Sequence, residues 1–571
     1  MNSAPEKKAS DVYLAAILER APSVLSLMDR ESFSRTAGCM DRTHWAWKFT
    51  DFPGARFQEG LCVLSFLYAT PVPANPYYKS AALLSWIELG FEFWSNIQRP
   101  EGDFDEAYPF EHSLAATAFT SHYLSEAYRF VESDLSPEAK QRFLQSLRKT
   151  GQWLCANDET HGFLSNHLAA AATALYHAYQ LTGEPRFEAR ARYFIDKILD
   201  HQSSEGWYDE YGGADPGYQT HGSYYMARYL QLSGDARLTD SLSRSFDFLQ
   251  HFIHPDLSLG GEYTSRNTKT YYPAAFEMMS AADGTSSWIC QTMLPSVETL
   301  SAVGLGTVDA YNLFPLLNNY VFAYLAAVDN ETNRAPAAGP SEEAATVHFP
   351  KAGLLKVRKP RYDLIVGLHK GGVVNLFDRQ SRRLILSDCG YIGRLENGKV
   401  CSSQWTDPDR YVELGDDHVE VRGQFFGVSR PIMDPYKFLS FRVFSLTLGR
   451  FKGPAYWVKS LLVKLLIYKK TPLDLSISRR IEFGADGIEI CDRLAGSLGS
   501  QLKELARGDR FTTIHMGSSR YFVPNELSLG PTSSEFESVP IGELDRGIEL
   551  SREARLDSPS TQSTLHATEI S

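Results

Sequence analysis

Two short stretches of this chain carry residues able to move protons. "FLSNHLAAAATALYHAY" (163–179) opens on Asn166 and His167. "EGWYDEYGGADPGYQTHGSYY" (205–225) brings Tyr218 and His221, with Trp207 and Tyr211 close by. A neutral histidine is a competent base near neutrality. A tyrosine, ordinarily near pKa 10, becomes useful when a positive charge or a hydrogen bond stabilises its phenolate. An asparagine amide donates hydrogen bonds to a carboxylate without adding charge. Arg266, in "GGEYTSRNTKTYYP", can add a bidentate grip. Together these residue types suit β-elimination beside a uronate carboxylate. Neutralising the carboxylate acidifies the C5 proton, His167 or Tyr218 removes it, and Tyr218 protonates the departing O4.

For this chemistry the elements must bring Asn166, His167 and Tyr218 to one place, and an internal repeat predicts that they do. "HAYQLTGEPRF" (177–187) and "RYLQLSGDARL" (228–238) match at an offset of 51, pairing Gln180 with Gln231, Leu181 with Leu232, Gly183 with Gly234 and Arg186 with Arg237. An earlier fragment, "EAYRFV" (126–131), extends the series. About fifty residues fit two helices and two loops, and such hairpins bury their apolar faces only against one another. They stack as an open solenoid or close into an α/α toroid. The same offset sets Asn166 and His167 on Gly217 and Tyr218. Ser165 and the Asp215–Pro216 pair precede them as cap-like residues, so both sites open helices on one rim.

Apolar spacing of three and four residues marks residues 1–335 as this helical region. A linker rich in proline, alanine and acid, "NETNRAPAAGPSEEAA" (330–345), follows. Short β-branched runs with turns then predict an antiparallel β-sandwich over 346–550, with "RRIEFGADGIEICDRL" as a hairpin around "GADG". The polar end, 551–571, is expected to be loose.

The chain resembles the heparinase II/III-like polysaccharide lyases and the related alginate lyases. The resemblance rests on "SNHLAAA", on "DPGYQTHG" set against a family pattern Asp-Gly-Ser-Tyr-x-x-His-Gly, and on the β-domain hairpin. It implies an N-terminal α/α toroid followed by a C-terminal β-sandwich. It also implies Asn166 for carboxylate neutralisation, His167 as base, Tyr218 as acid or as acid and base together, and His221 beside them. One departure stands out. The family's β domain supplies a histidine from a run such as His-x-His-x-Asp, whereas this chain reads "GLHKGGVV", with His369 followed by Lys370. The usual metal-ligand residues are missing there, so no metal and no cofactor is expected, and His369 or Lys370 is expected to reach the cleft.

Further sugar contacts are expected from "DRTHWAWKFTDFPGARFQEG" (41–60), with Trp45, Trp47, Arg56 and Gln58, and from "DFDEAYPFEHS" (103–113), with Asp105, Glu106 and Glu111. Each candidate has a plainer reading as a helix cap, a packing aromatic or a salt-bridge partner.

Of 571 residues, 57 are Lys or Arg and 69 Asp or Glu, a net charge of −12 that argues against a general nucleic-acid binder. It leaves room for a local basic pocket and an anionic polysaccharide or oligosaccharide. Seven scattered cysteines without a CxxC pair read as a reduced chain. No signal peptide or integral membrane segment is evident, which favours the cytoplasm. "WVKSLLVKLLIYKK" (457–470) reads as an amphipathic element touching a membrane or docked on its own domain. Oligomeric state is open. Three rival functions stay in view: a glycoside hydrolase using a pair from Asp105, Glu106, Asp209, Glu210 and Asp215, a uronate C5-epimerase, and a non-catalytic glycan-binding protein of a polysaccharide assembly system.

Overall fold

The computed structural model describes residues 7–159, 162–210, 212–428, 434–463, 471–513, 517–527, 536–542, 544–556 and 566–569. The helical region runs α1 (Ala9–Leu27), α2 (Arg42–Trp45), α3 (Gly60–Ala69), α4 (Ala81–Ile97), α5 (Leu114–Val131), α6 (Pro137–Ala156), α7 (Ser165–Thr182) and α8 (Pro185–His201). It continues through α9 (Pro216–Ser233), α10 (Arg237–Leu249), α11 (Ala274–Met279), α12 (Gly284–Thr299) and α13 (Ala310–Asp329). Helices α3, α5, α7, α9, α11 and α13 form an inner ring, and α13 returns against α3 to close it. The outer helices α4, α6, α8, α10, α12 and α1 each lean on this ring through one apolar face. Of the two arrangements open from the repeat, this is the closed toroid.

The predicted period is visible in the coordinates. Helices α5, α7 and α9 begin at Leu114, Ser165 and Pro216, each 51 residues after the last. Gly183 and Gly234 end α7 and α9 with φ of 74° and 70°, the left-handed conformation that stops a helix without a Cβ clash. Equivalent positions meet on the inner wall. Glu126, His177 and Arg228 are also 51 apart. Arg228 grips Glu126 with Nε and Nη2 at 2.6 and 2.9 Å, and the His177 ring lies 3.0 Å from the same carboxylate. His122, Glu126 and His177 are the one group among the described residues that has the donor set of a metal site. The fixed Arg228 cation already neutralises the only carboxylate there. We read the group as a buried ion network.

The second region is a sandwich of two antiparallel sheets. The first runs in chain order: β1 (Ala345–Phe349), β2 (Leu354–Arg358), β3 (Tyr362–Gly367), β4 (Val373–Asp378) and β5 (Arg383–Asp388). The second draws on β6 (Tyr391–Leu395), β7 (Val400–Ser402), β8 (Tyr411–Leu414), β9 (His418–Val428), β10 (Pro472–Phe483), β11 (Gly487–Ala495), β12 (Leu502–Gly508), β13 (Phe536–Ser538), β14 (Ile548–Arg555) and β15 (His566–Glu569). Its order is β13-β12-β6-β7-β9-β10-β11-β14-β15, with β8 on β9. The predicted hairpin is β10–β11, closed by the pair Phe483 and Ile488.

Strand β3 is buried at every residue because its sheet is covered on both faces. Leu364 and Val366 meet Val421 and Ile490 of the other sheet, while Ile365 and Phe377 join the toroid core. His254 of the toroid stacks on Phe377 at 4.4 Å. The linker is pinned rather than free, since Ala335 and Ala338 donate to the carbonyls of Ser280 and Gly284. The polar end departs from expectation as well: residues through Arg555 complete β14, and His566–Glu569 pair with it. Period-2 alternation in "IELSREAR" is the signal that overall polarity hid.

Between β9 and β10 the chain leaves the sheet and forms α14 (Pro435–Leu446) and α15 (Lys452–Val463). These helices lie on the toroid rim. Phe441 packs on Tyr108 at 4.8 Å, Arg442 reaches Asp51 at 3.2 Å, and Lys452 and Tyr456 reach Asn157.

Candidate active site

One rim of the toroid, together with α15 and the loop around Ser518, encloses a cavity of about 450 Å3. His167 and Tyr218 both line it, with Arg56, Glu106, Glu111, Tyr311, Asn312, Lys459 and Ser518. The placement follows from local structure. Asp215 caps α9, its carboxylate accepting from the Tyr218 amide at 3.0 Å, and Pro216 fits the first turn because it lacks an N–H. Ser165, expected as a cap, is the first residue of α7. The capping role passes to Glu210, which accepts from the Asn166 amide at 3.0 Å. A bridge between Leu164 and Glu210 joins the two helix starts directly.

Asp215 also accepts from the Thr264 hydroxyl at 2.8 Å and the Arg266 amide at 2.9 Å, and so holds the loop that carries Arg266. The Arg266 guanidinium lies 3.6 Å from the centre of the Tyr218 ring and 3.0 Å from Glu210. A cation stacked on a phenol favours electron density gathering on its oxygen. The Tyr218 hydroxyl meets Ser518 of the β domain.

His167 turns Nδ1 to the Glu159 carboxylate at 2.7 Å. That contact fixes the ring and the tautomer, leaving Nε2 as the basic nitrogen. The Phe119 ring organises this wall. His167 meets it edge-on at 5.5 Å, Arg56 covers it at 4.4 Å, and His221 stacks on it at 5.8 Å.

His221 is buried, stacks on Tyr272 at 4.3 Å and pairs with the Tyr225 hydroxyl at 3.1 Å. Burial, reinforced by the Arg56 charge, holds it well below the ordinary histidine range, so it supports the wall as a neutral ring. Asn166 is 2% exposed and lies behind the lining, its side-chain oxygen without a hydrogen-bond partner among the described residues.

Arg56 and Glu111 reach the cavity as expected. Arg56 pairs with Glu59 at 2.6 Å and Glu106 at 3.5 Å, and Lys459 pairs with Glu111 at 3.3 Å. Four expectations are corrected. Gln58 is buried, accepting from the Met40 amide and donating to the carbonyls of Gly38 and Gly90, so it is a structural tie. Trp207 donates to Glu205, which accepts from the amides of Lys351 and Ala352, and the group joins the toroid to the sandwich. His369 packs under Gly353, away from the cavity. Lys370 donates to the Thr264 carbonyl at 2.5 Å and to Asn267, supporting the Arg266 loop from below. Tyr211 lies outside the described residues. Long side chains beside a cleft motif in sequence need not face the cleft; burial and backbone partners decide. We expect Gln58→Ala to lower unfolding stability by roughly 2 kcal/mol, because it orphans buried backbone groups. KM measured on the folded fraction should stay unchanged.

Sequence reading missed Glu159, Lys459 and Ser518 as members of the site, since each arrives from a separate loop or domain. Glu210 had been weighed only as a hydrolytic acid. Burial pushes its carboxyl up to about 7, outweighing the pull of Arg266. A carboxyl raised in the folded state adds stability below its unfolded value, near 4.5, that is lost as pH rises through about 7. Thermal unfolding followed from pH 4.5 to 8 should show this loss, at a slope no steeper than ~1.4 kcal/mol per pH unit for one proton. Glu210→Gln should flatten it.

Residues 56–275, which contain Asn166, His167, Tyr218 and Arg266, match the family described as the ulvan lyase N-terminal domain. Two solved structures share the fold. The Streptomyces coelicolor A3 chondroitin AC lyase, solved with chondroitin sulphate, aligns with a TM-score of 0.55 at 11% identity, covering 89% of this chain and 69% of that one. A Paenibacillus xanthan lyase aligns with a TM-score of 0.53 at 11% identity, covering 98% of this chain, which spans about half that enzyme's length (55%). No curated protein matches the sequence. The shared fold is an α/α toroid followed by an antiparallel β-sandwich. Residues 56–275 of the toroid match the ulvan lyase N-terminal domain family, on a fold shared with the chondroitin AC and xanthan lyases.

Proposed function

We propose that this lyase cleaves a uronate-bearing glycan by β-elimination in the cavity between the toroid rim and the β domain. One observation carries the reading: His167 and Tyr218, at equivalent starts of adjacent inner helices, line the same cavity, and Arg266 is stacked on the tyrosine. In this reading His167 Nε2 or the Tyr218 oxygen takes the C5 proton. The electron pair forms the C4–C5 double bond, the C4–O4 bond breaks, and Tyr218 returns a proton to O4. No water is consumed. Arg56 and Lys459 supply the cations that receive the sugar carboxylate, exchanging their present carboxylate partners for it.

The matching family and the two structural relatives name ulvan, chondroitin and xanthan, which makes these the first polymers to offer the enzyme. The test is such a panel scored for the ultraviolet chromophore of the unsaturated product. Reducing ends without that chromophore would instead support hydrolysis through Glu106, a half-exposed cavity residue whose carboxyl is pushed upward from its ordinary range by desolvation. Solvent deuterium at C5 without cleavage would support epimerisation, and binding without any product a non-catalytic role.

A further inference from the structure

The helical insertion between β9 and β10 shows an inverted amphipathicity. A surface helix usually turns its apolar stripe to the core and its charges to water. Here charged and polar groups face the protein: Arg442 reaches Asp51, Lys452 reaches Asn157 and Lys459 reaches Glu111. Many large apolar side chains face outward, while Phe441 packs inward on Tyr108. Tyr436 is 83% exposed, Trp457 68% and Phe451 66%, and Phe438, Leu439 and Leu461 are exposed beside them. Soluble proteins rarely leave so many large apolar groups open on one short segment unless something covers them.

Charge indicates what does. From Pro435 to Leu473 the sequence holds no acid, while Lys437, Arg442, Arg450, Lys452 and Lys459 punctuate it, in a chain of net charge −12. Lys437, which pairs with Asp434 at 2.6 Å, and Arg450 are exposed among the apolar residues. Outward aromatics and leucines with cations and no acids match an interfacial element that seats its apolar face at the headgroup boundary of an anionic bilayer. No helix among the described residues is long and apolar enough to cross a membrane, so the geometry fits lying on a membrane rather than spanning it.

We propose that α14 and α15 dock this enzyme on an anionic lipid surface. The insertion contributes Lys459 to the cavity, so docking sets the catalytic rim beside the membrane. The proposal is independent of which glycan is cleaved.

The experiment is co-sedimentation of the full chain with vesicles of phosphatidylcholine alone and of phosphatidylcholine mixed with phosphatidylglycerol. Binding is expected to the mixed vesicles and to weaken with added salt. Trp457→Ser should reduce the partition coefficient by about tenfold, in line with the loss of one buried large apolar side chain. The pair Phe438→Ser and Leu439→Ser should do the same. Lys437→Glu should lower the preference for the anionic lipid. All are exposed positions outside the cavity, so melting temperature and turnover of soluble polysaccharide should be unchanged. Failure to bind anionic vesicles, or binding that ignores these substitutions, would overturn the proposal. So would light scattering that shows a dimer dispersed by the same substitutions, which would make the face an interface between copies.

Discussion

Tyr218→Phe is expected to lower kcat by about a thousandfold or more while leaving KM and oligosaccharide binding close to the parent values. The substitution removes one oxygen and keeps the ring. The ring is what Arg266 stacks on at 3.6 Å, and the backbone amide is what Asp215 caps, so the wall of the cavity should survive. In the proposed elimination the lost hydroxyl is the group that delivers a proton to the departing O4, and in one arrangement also collects the C5 proton. A positioned acid or base typically contributes about 10² to 10⁴. A residue serving both steps belongs at the upper end. Because the hydroxyl acts in the transition state more than in the bound state, the loss should fall on kcat. Calorimetry with a non-cleaved oligosaccharide separates the two terms. Full activity in the variant would remove Tyr218 from the reaction. A rise in KM at constant kcat would make it a binding group.

How much of this site was legible depended on whether periodicity or tertiary contact placed the residue. The offset of 51 is a property of the chain, so it predicted where α7 and α9 begin and that His167 and Tyr218 share a rim. Arg266 was nominated by type and proximity alone. Its position over Tyr218 comes from Asp215, a capping residue that also binds the amide of a loop fifty residues away. That long-range use of one carboxylate has no periodic trace.

Gln58 and Lys370 failed as cleft residues for a common reason. Each sits beside a plausible motif, yet its polar atoms are consumed by backbone groups that only the closed fold brings near. The β domain was legible as alternation, down to the β10–β11 hairpin. Its contributions to the cavity, Lys459 and Ser518, were not, because they come from an insertion and a loop that depart from the sheets. The same insertion had been noted for its lysines and leucines. Which of its faces points outward is decided by the toroid rim beneath it.

Loss of the imidazole is the complementary test. His167→Ala should reduce kcat/KM by at least about a hundredfold, the lower range for a positioned base. External imidazole should restore part of that activity, since the cavity left beside Phe119 has the shape and polarity of the ring removed. Rescue distinguishes a chemical role from a merely structural one, which added imidazole would not repair.

The partner variant, Glu159→Gln, tests how the base is held. Glutamine keeps the hydrogen bond to Nδ1 but removes the negative charge that, in the proposed elimination, steadies the imidazolium formed once the C5 proton has been taken. Groups that orient a working histidine in this way commonly contribute about 10- to 100-fold. Glu159 is a positioning residue, so its loss should appear in kcat with little change in KM, and should be small in a chain that already lacks His167. If the two substitutions instead multiply, Glu159 acts on something other than the histidine. If neither affects turnover, the proton at C5 belongs to Tyr218 alone, and the toroid presents a single-residue acid and base with His167 as its neighbour.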